Sequence, residues 1–187
     1  MLIENRYLIV LIFFFIFPNL SASEKSKIIY NLSNVETLKF DFIQISLNKK
    51  EEGNCYLKRP HFLKCVYNDK KQKELFINRN NIVIYHREFK KKYYYPASKS
   101  FFKDILNKKK FQTLILNGKI KSNENFLEIM FFDKNKGEIK IFFDKENYDI
   151  FGWETNDLNN NYTSFELHNI VKNENLDTKL FNIPEIN

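Results

Sequence analysis

The residues best able to do chemistry lie in Gly53–Tyr67, which reads Gly-Asn-Cys-Tyr-Leu-Lys-Arg-Pro-His-Phe-Leu-Lys-Cys-Val-Tyr. Pro60 lacks an N–H and fixes φ, so two alternating runs must stop and turn there. Period-two alternation puts Cys55, Leu57 and Arg59 on one face of the first run. In the second run Leu63, Cys65 and Tyr67 share a face. A turn centred near Pro60 sets Cys55 opposite Cys65 and Leu57 opposite Leu63. Arg59 then ends an apolar stripe inside the curve of a sheet. Its plain readings are an arginine that closes a hairpin, or one that pairs with a carboxylate.

Little else asks for catalysis. His61, His86 and His168 are dispersed, with no His-Glu-x-x-His and no Gly-x-Ser-x-Gly. His61 beside the turn and His168 on an outward alternation read as surface residues. Glu51 and Glu52 lie next to lysines, as solvated charge does. There is no nucleotide-binding loop, and nothing implies a metal or a cofactor. The chain reads as a non-enzyme.

The elements that position these residues follow a leader. Arg6 precedes the apolar run Leu8–Phe17, which is shorter than the ~20 residues that span a bilayer. Pro18 breaks the run, and Ser21-Ala22-Ser23 supplies small residues for cleavage before Glu24. Residues 1–23 are therefore expected to be a signal peptide and 24–187 a single exported domain. In an exported hairpin, facing Cys55 and Cys65 favour a disulfide. The other reading is two buried thiols acting as small apolar side chains. The spacing is far from Cys-x-x-Cys, so neither is catalytic. No cysteine sits near Ser23 to take a lipid, and a soluble monomer is expected.

Composition narrows the partners. The net charge is +7, but arginine is confined to Arg6, Arg59, Arg79 and Arg87, which provides poorly for bidentate phosphate recognition. Nucleic acid is not expected as a partner. The runs Lys90–Lys92 and Lys108–Lys110 read as solvated loop edges with a weak attraction to anionic headgroups. Twenty Phe, ten Tyr and one Trp exceed what a small closed core needs, although Lys, Asn, Ile and Phe together also mark an A+T-rich coding bias.

Hydrophobic period gives an amphipathic helix over 24–34, with Ile28, Leu32 and Val35 at i, i+4 and i+7. Leu38–Phe42 alternates as a strand and turns irregular at Ile43–Ile45. Further strands are expected at 74–78, 81–86, 92–95, 113–121, 126–132, 138–143, 148–155 and 162–171, between Asn-, Lys- and Gly-bearing turns. Within 98–107, Phe101, Phe102, Ile105 and Leu106 share a helical face, with Ser98 or Ser100 as cap. So many short neighbouring strands suggest an antiparallel meander curling toward a barrel. A small closed barrel fills its own interior, so an apolar helix argues for an open barrel that it covers.

The order of these features resembles the LolA family of periplasmic outer-membrane lipoprotein carriers. The resemblance covers nearly all of the expected mature chain. It rests on the first helix and on Leu38-Lys39-Phe40-Asp41-Phe42-Ile43-Gln44 as opening strand. Gly53-Asn54-Cys55-Tyr56-Leu57-Lys58-Arg59-Pro60 stands for the family's Gly-x-apolar-aromatic-apolar-Lys-Arg-Pro. Ile82-Val83-Ile84-Tyr85 and the closing Phe181-Asn182-Ile183-Pro184 complete the set. Cys55 and Cys65 depart from the family, which usually has larger apolar residues there.

The resemblance implies a mainly β (α+β) fold, an incomplete antiparallel barrel covered by an α-helical lid. It makes Arg59 the lid latch, bonding to lid carbonyls when the cavity is empty. It places Ile28, Leu32, Phe40, Phe42, Leu57, Leu63, Phe101, Phe102, Ile105 and Leu106 around acyl chains. The implied partners are acylated lipoproteins, an inner-membrane ABC-type lipoprotein-releasing complex, and an outer-membrane receptor or the outer membrane itself. The implied location is the periplasm. The alternative is a periplasmic lipid- or amphiphile-binding or envelope-sensing module of the same fold.

Overall fold

The computed structural model describes residues 23–185. The expected signal peptide lies outside these residues except for Ser23, which caps the first helix by accepting a hydrogen bond from the Ser26 amide at 3.3 Å.

Helix α1 (Glu24–Ser33) leads into six strands: β1 (Thr37–Ser46), β2 (Lys49–Lys58), β3 (Phe62–Tyr67), β4 (Lys73–Asn78), β5 (Asn81–His86) and β6 (Lys91–Pro96). Helices α2 (Phe101–Leu106) and α3 (Lys108–Asn117) follow. The chain then returns through β7 (Lys119–Ser122), β8 (Phe126–Asp133), β9 (Gly137–Asp144), β10 (Ile150–Asn156) and β11 (Tyr162–Lys172). All eleven strands form one antiparallel sheet in the order β6-β5-β4-β3-β2-β1-β11-β10-β9-β8-β7. Two meanders are thus joined where β1 pairs with β11. The outermost strands β6 and β7 do not pair with each other, so the barrel stays incomplete, with the helices laid over its concave face.

Alternation decides which residues meet the helices. Leu38, Phe40 and Phe42 of β1, Cys55 and Leu57 of β2, and Leu63, Cys65 and Tyr67 of β3 are buried on that face. Ile28 and Leu32 of α1, Phe101, Ile105 and Leu106 of α2, and Phe111 and Ile115 of α3 join the same core. The convex face carries a smaller cluster of Phe76, Val83 and Tyr85, with Ile183 of the C-terminal segment packed on it. Phe181 stacks obliquely on Phe62 at 5.6 Å.

Three sequence expectations need correction. The strand expected over 113–121 is the second half of α3 followed by the short β7. Thr113–Leu116 is a short apolar run with β-branched residues, as strands often are, but Asn107 caps α3 by accepting from the Lys110 amide, and Phe111 and Ile115 are buried at i, i+4. The single helix expected over 98–107 is a 3-10 turn at Ala97–Lys99 and then α2, because extended Ser100 caps α2 at the Phe102 amide. The irregularity expected at Ile43–Ile45 lies earlier, as a register shift against β11 between Lys39 and Asp41. Gly53 is a close-approach glycine, since a Cβ there would stand 2.0 Å from the Val66 carbonyl oxygen.

Candidate functional site

Arg59 sits at the end of β2, buried beneath α1 and α2. Its Nη1 donates to the carbonyls of Leu32 and Val35, each at 2.9 Å, and its Nε donates to the Ile105 carbonyl at 3.2 Å. Leu32 is in the last turn of α1 and Ile105 in the last turn of α2. The final carbonyls of a helix have no partner within it, and a cation at that end is favoured by the peptide dipoles. One guanidinium thus supplies donors to the C-terminal ends of two helices and ties both to the sheet. Burial pushes Arg59 down to about 10, with the field of Glu36 opposing, so it remains charged at neutral pH. No ion pair involving it occurs among the described residues; Glu36 is taken by Lys108.

A second tie holds α2. Asp104, wholly buried, pairs with the buried Lys136 of the β8–β9 turn and with Lys110 of α3 at 2.5 Å. The pair with Lys136 ties α2 to the β8–β9 turn, whereas Arg59 ties it to the end of β2.

Between these ties the interior opens sideways. A cleft of about 400 Å³ runs from the start of α2 to the concave face, at the low end of ligand-sized pockets of ~300–1,000 Å³. Its floor is Trp153, Phe165 and Ile139, and its roof is Phe101 and Phe102. Trp153 stacks on Phe165 at 4.4 Å, and Phe102 meets both rings edge-on at 5.2 and 5.3 Å. Polar groups gather at the mouth: Gln44, Lys73, Lys99, Thr163 and Lys136. Tyr67 donates its hydroxyl to Gln44 Oε1 at 3.2 Å, and burial pushes its pKa up, so it stays neutral. The Lys73 ammonium lies 3.6 Å over the Tyr67 ring and is held by Glu51 at 2.8 Å.

Of the residues expected around acyl chains, Phe101 and Phe102 line this open cleft. Ile28, Leu32, Phe40, Phe42, Leu57, Leu63, Ile105 and Leu106 lie in the closed core between helices and sheet. Cys55 faces Cys65 in the β2–β3 register and the two form a disulfide. Sequence reading missed Trp153, Phe165 and Ile139, although each sits on an inward alternation. It also missed Asp104 and Lys136, whose only signal was an acid inside an otherwise apolar helical face.

The profile of the family described as outer membrane lipoprotein carrier protein LolA matches residues 33–184. No curated protein matches the chain. Among solved structures, an uncharacterized conserved protein from Thermus thermophilus aligns with a TM-score of 0.55 and 6% identity, over 87% of this chain and 93% of its own. A DUF1329 family protein from Desulfovibrio piger aligns with a TM-score of 0.50 and 8% identity, over 85% and 95%. MucB aligns with a TM-score of 0.53 and 7% identity, over 87% of this chain but only 64% of MucB. At these identities the likeness is one of fold.

Proposed function

The chain belongs to the LolA family, and we propose that it is a periplasmic carrier that shields the acyl chains of lipoproteins between its helices and the concave face of its sheet. It receives them from an inner-membrane ATP-driven releasing complex and delivers them to the outer membrane or a receptor there. The observation that carries this reading is Arg59. A buried cation bonded to three main-chain carbonyls, two in the last turns of α1 and α2 and one just beyond α1, is a poor way to build a permanent core, since burying an ion costs several kcal/mol. It suits a contact meant to break, because freed helix ends can bond to water instead.

The energetics favour a latched lid. One sixteen-carbon chain gains on the order of 10 kcal/mol on leaving water, at about 0.8 kcal/mol per methylene. A carrier must nearly match the membrane and then release. An empty carrier with its helices raised would expose a large apolar face, which invites aggregation. Arg59 and the Asp104–Lys136 pair hold the empty state shut, and the cleft beside Phe102 gives a chain its entry. The existing 400 Å³ grows as the helices lift.

Mass spectrometry of the chain purified from a bacterial periplasm with whatever it holds tests the cargo. Triacylated lipoprotein is the expected companion. Free phospholipid or glycolipid without lipoprotein would keep the cavity and overturn the assigned cargo.

A further inference from the structure

The two ends of the sheet differ in what their turns present. At the end where the cleft opens, exposed apolar residues stand at three turns: Leu47 between β1 and β2 (76% exposed), Phe89 between β5 and β6 (51%) and Leu158 between β10 and β11 (58%). Among the described residues none of the opposite turns, 59–61, 79–80, 123–125 and 145–147, exposes a large apolar side chain. The cleft belongs to the first end, because Tyr67, Lys73, Asp157 and Lys136 at its mouth are strand-end or turn residues there.

Cations surround one of these tips, Phe89. The β3–β4 and β5–β6 turns are joined by backbone bonds, Arg87 N–H to the Gln72 carbonyl at 3.3 Å and Glu88 N–H to that of Lys71 at 3.5 Å. Lys70, Lys71, Lys90 and Lys91 are therefore neighbours around Phe89, and all four are exposed. The ion pairs nearby are Arg87–Glu74 and Lys73–Glu51, which leave those four free among the described residues. The only acids on the two turns are Asp69 and Glu88, and Asp69 already accepts from the Lys73 amide. Away from the rim, the edge strand β6 exposes Tyr93 and Tyr95 on one face and Tyr94 on the other, paired with Ile84, Ile82 and Val83 of β5. Lysine on an edge strand also deters strand-to-strand association, but that does not account for Phe89 or for the lysines of the neighbouring turn.

We infer that this rim is a docking surface for an anionic phospholipid bilayer, with Phe89 entering the headgroup region and Lys70, Lys71, Lys90 and Lys91 neutralising it. Phe89 supplies an apolar anchor for that boundary, and each lysine near an anionic surface contributes about 1 kcal/mol. The contact is weak and reversible, as a shuttle requires, and it turns the mouth of the cleft toward the lipid. The inference rests on the carrier reading for its use, but its test needs no cargo.

Vesicle flotation with the empty chain tests it, comparing phosphatidylglycerol–phosphatidylcholine vesicles with phosphatidylcholine alone. The chain is expected to float with the anionic vesicles only, and to be released by salt. The pair K90Q and K91Q should weaken binding about 30-fold at ~1 kcal/mol per lysine, and Phe89→Ser should weaken it as well. All three side chains are exposed, so thermal unfolding of the variants should match wild type. Equal binding to neutral vesicles, no binding to either, or binding indifferent to these substitutions would overturn the docking surface while leaving the carrier reading intact.

Discussion

Replacing Arg59 with leucine should release the helices without unfolding the sheet. The side chain gives three hydrogen bonds to carbonyls at the ends of α1 and α2. Losing three hydrogen bonds from a charged donor costs about 2 kcal/mol each, about 6 in all; the Val35 and Ile105 carbonyls lose their donor, while that of Leu32 keeps the Val35 amide at 3.3 Å. Against this, the buried guanidinium is itself disfavoured: its pKa falls from 12.5 to about 10, equivalent to about 3 kcal/mol. The closed state is thus destabilised by about 3 kcal/mol, or roughly a hundredfold in the opening equilibrium. Amide hydrogen exchange reads this directly, since α2 amides exchange through opening. Trp153, the only tryptophan, lies under Phe101 and Phe102, so its quenching by acrylamide reports the same event. In Arg59→Leu, α2 should exchange about a hundredfold faster and Trp153 should become accessible. Protection of α2 within threefold of wild type, with Trp153 still shielded, would refute the latch.

Other perturbations have equally definite outcomes. Asp104→Asn leaves Lys136 buried without its counter-charge and should cost about 3–5 kcal/mol in urea unfolding, whereas Asp104→Leu with Lys136→Met should be close to neutral; equal losses in both would contradict the buried-pair account. The double serine variant of Cys55 and Cys65 removes a loop with a separation of 10 residues, so stability should fall by about 2–3 kcal/mol. No change in denaturation midpoint would contradict that. Burial raises the Glu51 carboxyl, but hydrogen bonds from Lys49 and Lys73 outweigh it and hold the pKa below the ordinary value. Its contribution is therefore complete above ~4.3 and lost as pH falls through the depressed value. Glu51→Gln should be less stable than wild type at pH 7, with the gap closing in acid; a gap constant down to pH 2 would sink the reasoning.

The β2–β3 hairpin was legible because alternation fixes faces and proline fixes the turn, which together set Cys55 against Cys65. The open barrel followed from many short strands beside one apolar helix. Helix α3 was not legible from period, since the continuous apolar run Leu114–Leu116 fits a buried strand as well as a helix; the Asn107 cap and Gly118 at its end carried the missing signal. The partners of Arg59 were legible only through family resemblance, because main-chain carbonyls leave no mark in a sequence. Asp104 stands on an otherwise apolar helical face, but its partner Lys136 lies 32 residues on among many other charges, and nothing local identifies it. The cleft floor depended on register across β9, β10 and β11, where a bulge at Ile150–Gly152 turns Phe151 outward and keeps Trp153 within.

The most direct test of carriage between lid and sheet is photo-crosslinking in a bacterial periplasm, with a photoreactive residue placed at Phe102 and, as control, at Phe142 on the convex face. The account predicts acylated-lipoprotein adducts at position 102 and none at 142. Adducts at 142 alone, or none at either position while the chain is folded and exported, would contradict it.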